Sequence, residues 1–172
     1  MLTHLDADAL RYMRNAASGC LASIAAGTSE QCDDVVGLNA LPALSGFISS
    51  DSPELRENAL CALRNIAARG TRQRDHVLQA GVLPPLLQLI ETATSQAEMV
   101  ELHRAAWCLS HLMRGTPLPA SEQVASAVPV LVRMLAVSDA EVRAEACWAL
   151  SRLADGRSDD DGLAVDSTLS CM

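Results

Sequence analysis

Apolar residues recur along the chain at helical spacing, and four of the apolar stretches are variants of one another. They read ASGCLASIAA (17–26), ALCALRNIAA (59–68), AAWCLSHLMR (105–114) and ACWALSRLAD (146–155). Each places a Leu and, three residues on, an Ile or Leu: Leu21/Ile24, Leu63/Ile66, Leu109/Leu112 and Leu150/Leu153. Positions three apart share one face of a helix, so each pair marks a buried stripe. The anchor leucines lie 42, 46 and 41 residues apart. A helical pattern repeating at that period predicts stacked units that bury their apolar faces against one another.

A second shared element precedes three of these stretches: ALPAL (40–44), VLPPL (82–86) and AVPVL (127–131). Each puts a proline, Pro42, Pro84 or Pro129, early in an apolar helix, where the first-turn N–H groups have no intrahelical partner to lose. Each repeat therefore reads as a short, a medium and a long helix. The predicted spans are 29–36, 40–49 and 53–69; then 71–80, 82–93 and 97–115; then 119–126, 128–138 and 140–156, with 5–26 as the last helix of a truncated first repeat.

Thr28-x-x-Gln31, Ser95-x-x-Glu98 and Ser138-x-x-Glu141 read as capping boxes, and Ser52-Pro53 as an N-cap before a first-turn proline. Gly27, Gly70, Gly115 and Gly156 follow the long helices as stops. Three helices per unit favour the armadillo over the HEAT arrangement. The expected fold is an all-α, right-handed superhelical solenoid of armadillo repeats, about three full and one partial, over residues 1–156. Residues 157–172, with the run Asp159-Asp160-Asp161, are expected to form a disordered acidic tail. The last repeat has no capping unit after it, which suggests a piece of a longer solenoid.

Composition agrees. Ala and Leu supply most of the apolar content, and aromatics are only 2%, which favours helix over sheet. The net charge of −8 argues against nucleic acid and anionic membrane as partners. All 13 cationic side chains are arginine. Cys20, Cys32, Cys61, Cys108, Cys147 and Cys171 form no C-x-x-C pair and read as reduced thiols. No apolar run approaches the ~20 residues of a membrane span, and the N-terminus lacks a secretory signal core.

Candidate function lies on the exposed stripe of the long helices. Two positions before each anchor Leu stand Gly19, Cys61, Trp107 and Trp148; four residues further stand Ser23, Asn65, His111 and Arg152. A lone Trp usually packs in a core. A column running from Gly to Trp points instead to a surface, since a core position would not accept that range of volume. Parallel indoles on a groove make slots for long aliphatic side chains with cationic tips.

Longer stretches carry a resemblance. IAAGTSEQ (24–31), ALCALRNIA with the later QRD and AGVLPPLLQLI (59–90), AAWCLSHLMRGTPLPASEQV-x₄-PVLVRML (105–135) and AEVRAEACWALSRLADG (140–156) resemble successive segments of the importin-α family over roughly residues 17–156. The resemblance implies an armadillo adaptor that binds nuclear localisation signals of cargo proteins and works in cytoplasm and nucleus. In that family a Trp on each long helix sandwiches Lys/Arg stems, and an Asn four residues on clamps the peptide backbone. The Trp role falls on Trp107 and Trp148 and the Asn role on Asn65. Gly27 and Cys32 take positions in the family's pocket for a key lysine, and Asn58 is assigned to the groove with them.

The same columns depart from the family at Gly19 and Cys61 for the Trp, and at Ser23, His111 and Arg152 for the second residue. Arg69 stands where the family has an acid. No Arg-rich run is present, so importin-β contact is expected only through a segment outside this chain.

No metal-ligand spacing links His4, His76, His103 and His111; Ser110 and Ser151 sit in no nucleophile elbow; no phosphate loop appears. No cofactor and no catalysis are expected. The alternative to import-signal recognition is an armadillo protein–protein interaction scaffold that has lost it.

Overall fold

The computed structural model describes residues 2–93 and 98–155. The box predicted at Ser95, the stop at Gly156 and the tail lie outside them. The chain opens with one long helix, α1 (Leu2–Ala26), followed by three helical triplets: α2 (Ser29–Gly37), α3 (Leu41–Phe47) and α4 (Pro53–Ala67); α5 (Thr71–Gln79), α6 (Leu83–Thr92) and α7 (Met99–Leu112); α8 (Ser121–Val124), α9 (Ala127–Met134) and α10 (Ala140–Asp155). The long helices stack in chain order, α1 on α4, α4 on α7 and α7 on α10. The result is an all-α solenoid, with no strand among the described residues.

Local chemistry sets the boundaries. Thr28 completes its capping box: its Oγ1 accepts from the Gln31 amide at 3.3 Å, and its own amide donates to Gln31 Oε1 at 2.9 Å. Gly27 is required beside it, because a Cβ there would stand 2.1 Å from Gln31 Oε1 and displace it from the box. Ser52 caps α4 ahead of Pro53, accepting from the Leu55 amide at 3.4 Å.

The box predicted at Ser138 is corrected by one residue. The Asp139 carboxylate accepts from the amides of Glu141 at 2.9 Å and Val142 at 3.0 Å. Those hydrogen bonds hold its pKa below the usual carboxylate value. The long helix α7 is also shorter than its pattern suggested, ending at Leu112 rather than 115.

Burial of the shared motif follows position in the stack. In the inner repeats Leu63, Ile66, Leu109 and Leu112 are fully buried, whereas Ile24 on the outermost helix is 41% exposed. Close approach of the long helices rests on small residues, Ala59, Ala62, Ala105, Ala106, Ala146 and Ala149, all buried. Truncating an inner anchor leaves a cavity and costs about 2–5 kcal/mol; the outer ones cost less.

Polar ties join successive long helices. Between α1 and α4, Asn58 Nδ2 donates to Ser18 Oγ at 3.1 Å and to the Asn15 carbonyl at 3.3 Å. Between α4 and α7, Arg56 pairs with Glu101, and Arg104 with Glu57 at 2.7 Å. Between α7 and α10, Ser110 Oγ donates to Glu145 Oε2 at 2.5 Å and His103 Nε2 meets Glu141 at 2.9 Å. Asn58→Ala is expected to destabilise the fold by about 1–2 kcal/mol by removing the α1–α4 tie. Urea denaturation measures this; a change within ±0.3 kcal/mol would remove the tie from the account.

Candidate functional site

The two predicted columns run along a partly exposed face of α1, α4, α7 and α10. The second column lies one helical turn beyond the first. Trp148 on α10 is 54% exposed, and the Arg152 guanidinium carbon stands 5.9 Å from the centre of its ring. Trp107 on α7 is half-buried. The Arg64 guanidinium lies over its face, 4.0 Å from the ring centre, within cation–π range.

That stacking has a steric cause. Cys61 holds the α4 position where α7 and α10 carry indoles, and its small side chain leaves a cleft of about 180 Å³ lined by Leu60, Cys61, Arg64, Val100, His103, Arg104 and Trp107. Arg64 lines this cleft and lies across the Trp107 face. It also donates to Asn65 Oδ1, through Nη2 at 2.8 Å and Nε at 3.3 Å. The amide oxygen predicted to clamp a peptide is thus engaged by the neighbouring side chain.

His111 lies against Trp107, with ring centres 6.0 Å apart in an edge-on arrangement. Its Nδ1 is 2.9 Å from the Trp107 carbonyl and its Nε2 is 3.3 Å from Arg114 Nη1. A carbonyl only accepts, so Nδ1 carries the hydrogen and Nε2 offers its lone pair to Arg114. This is a neutral imidazole. Burial lowers its pKa to about 4, with the cations of Arg114 and Arg64 acting in the same direction and the bond to the Trp107 carbonyl opposing them.

At the other end of the groove, Ser23 Oγ bonds back to the Gly19 carbonyl at 3.0 Å, and Gly19 borders Asn58. Arg69, just beyond the end of α4, reaches across to α1. Its Nη2 donates to the carbonyls of Gly27, Ala26 at 3.0 Å and Ala25 at 3.4 Å. Those are C-terminal carbonyls of α1, where the helix dipole concentrates negative potential.

Two further residues assigned to the groove, Cys32 and Asn58, are engaged with the protein's own packing. Cys32 is fully buried in the core, because its position on α2 faces inward with Val35. Burial raises its thiol pKa, and the Arg69 cation partly offsets the rise. Asn58 serves the α1–α4 tie, its amide hydrogens directed at α1. Conversely, Arg64 was not singled out by the sequence pattern. Its signal was its placement three residues after Cys61 and next to Asn65, on the flank of the groove stripe.

Among the described residues no group of three or more His, Cys, Asp and Glu is placed to hold a metal ion, and no helix is long and apolar enough to cross a membrane. The face instead offers indoles, amides and guanidinium groups along stacked helices. Residues 28–68 and 70–114 match the model of the armadillo/β-catenin-like repeat, and residues 100–153 match that of a HEAT-like repeat.

The chain is 41% identical over 143 residues to importin subunit alpha-2 of Arabidopsis thaliana and 40% identical over 151 residues to importin subunit alpha-1b of Oryza sativa subsp. japonica. These alignments cover 83% and 88% of this chain but 26% and 28% of the relatives, so the chain spans little more than a quarter of their length. Among solved structures it is similar to a designed armadillo repeat protein in complex with the peptide (KR)4, at 30% identity and a TM-score of 0.67 over 80% of this chain and 56% of that one. It is also similar to a computationally designed armadillo repeat protein for modular peptide recognition, at 28% identity and a TM-score of 0.70 over 83% and 59%. The chain belongs to the importin-α family of armadillo-repeat proteins.

Proposed function

We propose that the stacked long helices form a groove for an extended peptide bearing basic side chains, and that the chain acts as the signal-binding part of an importin-α-type nuclear import adaptor. The observation that carries this reading is the pair of indoles in equivalent positions on α7 and α10. A guanidinium already lies 4.0 Å over the Trp107 ring, and Trp148 offers more than half its surface to solvent. The relatives named importin subunit alpha, and a similar designed protein bound to an alternating Lys/Arg peptide, support the same ligand chemistry. In this reading Trp148 stacks on the aliphatic stem of a basic side chain, and Trp107 does so once Arg64 moves aside. Cargo proteins with basic localisation signals are the partners, and cytoplasm and nucleus the compartments.

The test is fluorescence anisotropy with a labelled lysine-rich signal peptide. Saturable binding is expected, weakened about tenfold or more by Trp148→Ala, since a desolvated cation–π contact contributes about 1–2 kcal/mol. Absence of saturation at tens of micromolar, or affinity unchanged in Trp148→Ala, removes the import reading.

A second reading is favoured by one observation, the Arg69 guanidinium at the end of α1. It fits an armadillo scaffold whose partners carry acidic rather than basic segments. Affinity capture followed by mass spectrometry separates the two: basic cargo supports the adaptor, acidic partners the scaffold.

A further inference from the structure

Two cation slots of this groove are filled by close contacts of the chain itself, while a third guanidinium, that of Arg152, stands at the outer limit of cation–π range, 5.9 Å from the Trp148 ring centre. The first is the cluster of carbonyls of Ala25, Ala26 and Gly27 at the end of α1, occupied by Arg69. The second is the face of Trp107 with the Asn65 amide oxygen, occupied by Arg64. In both, the groups that would receive a peptide's cation are neutral acceptors or a π face already holding a guanidinium. Neutral acceptors satisfy hydrogen bonds without cancelling charge, so each slot keeps its positive charge at the groove surface.

We infer that Arg69 is a specificity-determining residue: it closes the cation slot at the end of α1 and turns that part of the groove toward a carboxylate. The inference rests on the groove reading above. The ligand it implies is an extended peptide of mixed sign, with an acidic side chain where it crosses Arg69 and a basic one where it meets Trp148. A lysine brought to the first register must either displace Arg69 from three carbonyls or sit beside it. Two cations about 6 Å apart at the edge of a protein repel enough to shift affinity about tenfold. A carboxylate there gains by a similar factor.

The experiment uses two labelled peptides of equal length, one lysine-rich throughout and one with glutamate in place of lysine in the half that faces α1. Both are titrated against the wild-type chain, Arg69→Gln and Trp148→Ala. Arg69 lies on the surface, so Arg69→Gln is expected to keep the fold, and its helical circular dichroism and unfolding midpoint verify this before titration. The wild type should prefer the mixed peptide by about tenfold, and Arg69→Gln should abolish or invert that preference while Trp148→Ala weakens both peptides. If Arg69→Gln leaves the preference unchanged while Trp148→Ala still weakens binding, the role of Arg69 is overturned and the groove reading stands. If neither peptide saturates any of the three proteins, both fall.

Discussion

Between pH 7 and pH 4 the wild-type protein should lose about 3 kcal/mol more stability than His111→Asn does. The shift behind this is downward: the folded imidazole has a pKa of about 4, against 6.5 for an exposed histidine. A base whose folded pKa is depressed binds its proton more readily in the unfolded chain. Its contribution is therefore fully present above about pH 6.5, declines as the pH falls, and is exhausted near pH 4. Each unit of depression is worth about 1.4 kcal/mol, hence the expected total.

The structure supplies the reason. Burial withholds the water a protonated imidazole needs, and its Nε2 hydrogen would in addition point at the Arg114 guanidinium 3.3 Å away. Urea denaturation of both proteins at pH 7, 6, 5 and 4 isolates the effect, because the carboxylates titrate in both. Parallel stability curves would refute it.

Gly115→Ala should be nearly as damaging, by about 2–4 kcal/mol, or a drop of roughly 5–10 °C in the unfolding midpoint. Gly115 has φ of +95°, a region that L side chains rarely adopt. A Cβ there would stand 2.6 Å from Thr71 Cγ2 and 3.3 Å from Arg74 Nη1. Arg74 is the point of vulnerability. It is 1% exposed, paired with Asp75 at 2.8 Å, and its Nη1 donates to the Arg114 carbonyl just beyond the end of α7. Displacing it leaves a buried charge and a carbonyl without their match.

Gly19→Ala is the control of opposite sign. It lies inside α1, and its new Cβ would meet Asn58 Nδ2 at an ordinary 3.5 Å. A gain of about 0.5–1 kcal/mol is expected from the lower entropy of the unfolded chain. Calorimetry that found both substitutions neutral, or both harmful, would contradict this account of the two glycines.

Much of the fold was legible because it repeats. Leu21, Leu63, Leu109 and Leu150 recur at intervals of 41 to 46 residues, and Pro42, Pro84 and Pro129 mark the start of each medium helix, so each unit corroborates the others. The capping at Ser138 was misplaced because Ser138 and Asp139 are adjacent residues of equal capping ability, and only the backbone path decides between them. The two columns beside the core stripe repeat with the same period as the core. Their occupancy was not legible. Arg64 and Arg69 end on partners 43 and 42–44 residues away, Trp107 and the end of α1, and a long flexible side chain carries no periodic signal of its destination. Cys32 was assigned to a pocket by resemblance alone; it is buried on the inward face of its short helix, with the Arg69 cation near enough to act on its thiol.

The ties between successive long helices also give the molecule an uneven elasticity. The joint between α1 and α4 is fastened by hydrogen bonds from Asn58 and, just beyond α4, by Arg69 on the carbonyls at the end of α1, contacts with uncharged acceptors that dissolved salt screens only weakly. The joint between α4 and α7 is fastened by the ion pairs Arg56–Glu101 and Arg104–Glu57, all partly exposed and therefore weakened as the Debye length shrinks. Rising ionic strength therefore softens the second joint more than the first. Of these two joints the more compliant is then the one between Cys61 and Trp107, at the cleft where Arg64 must move for a peptide to reach the indole.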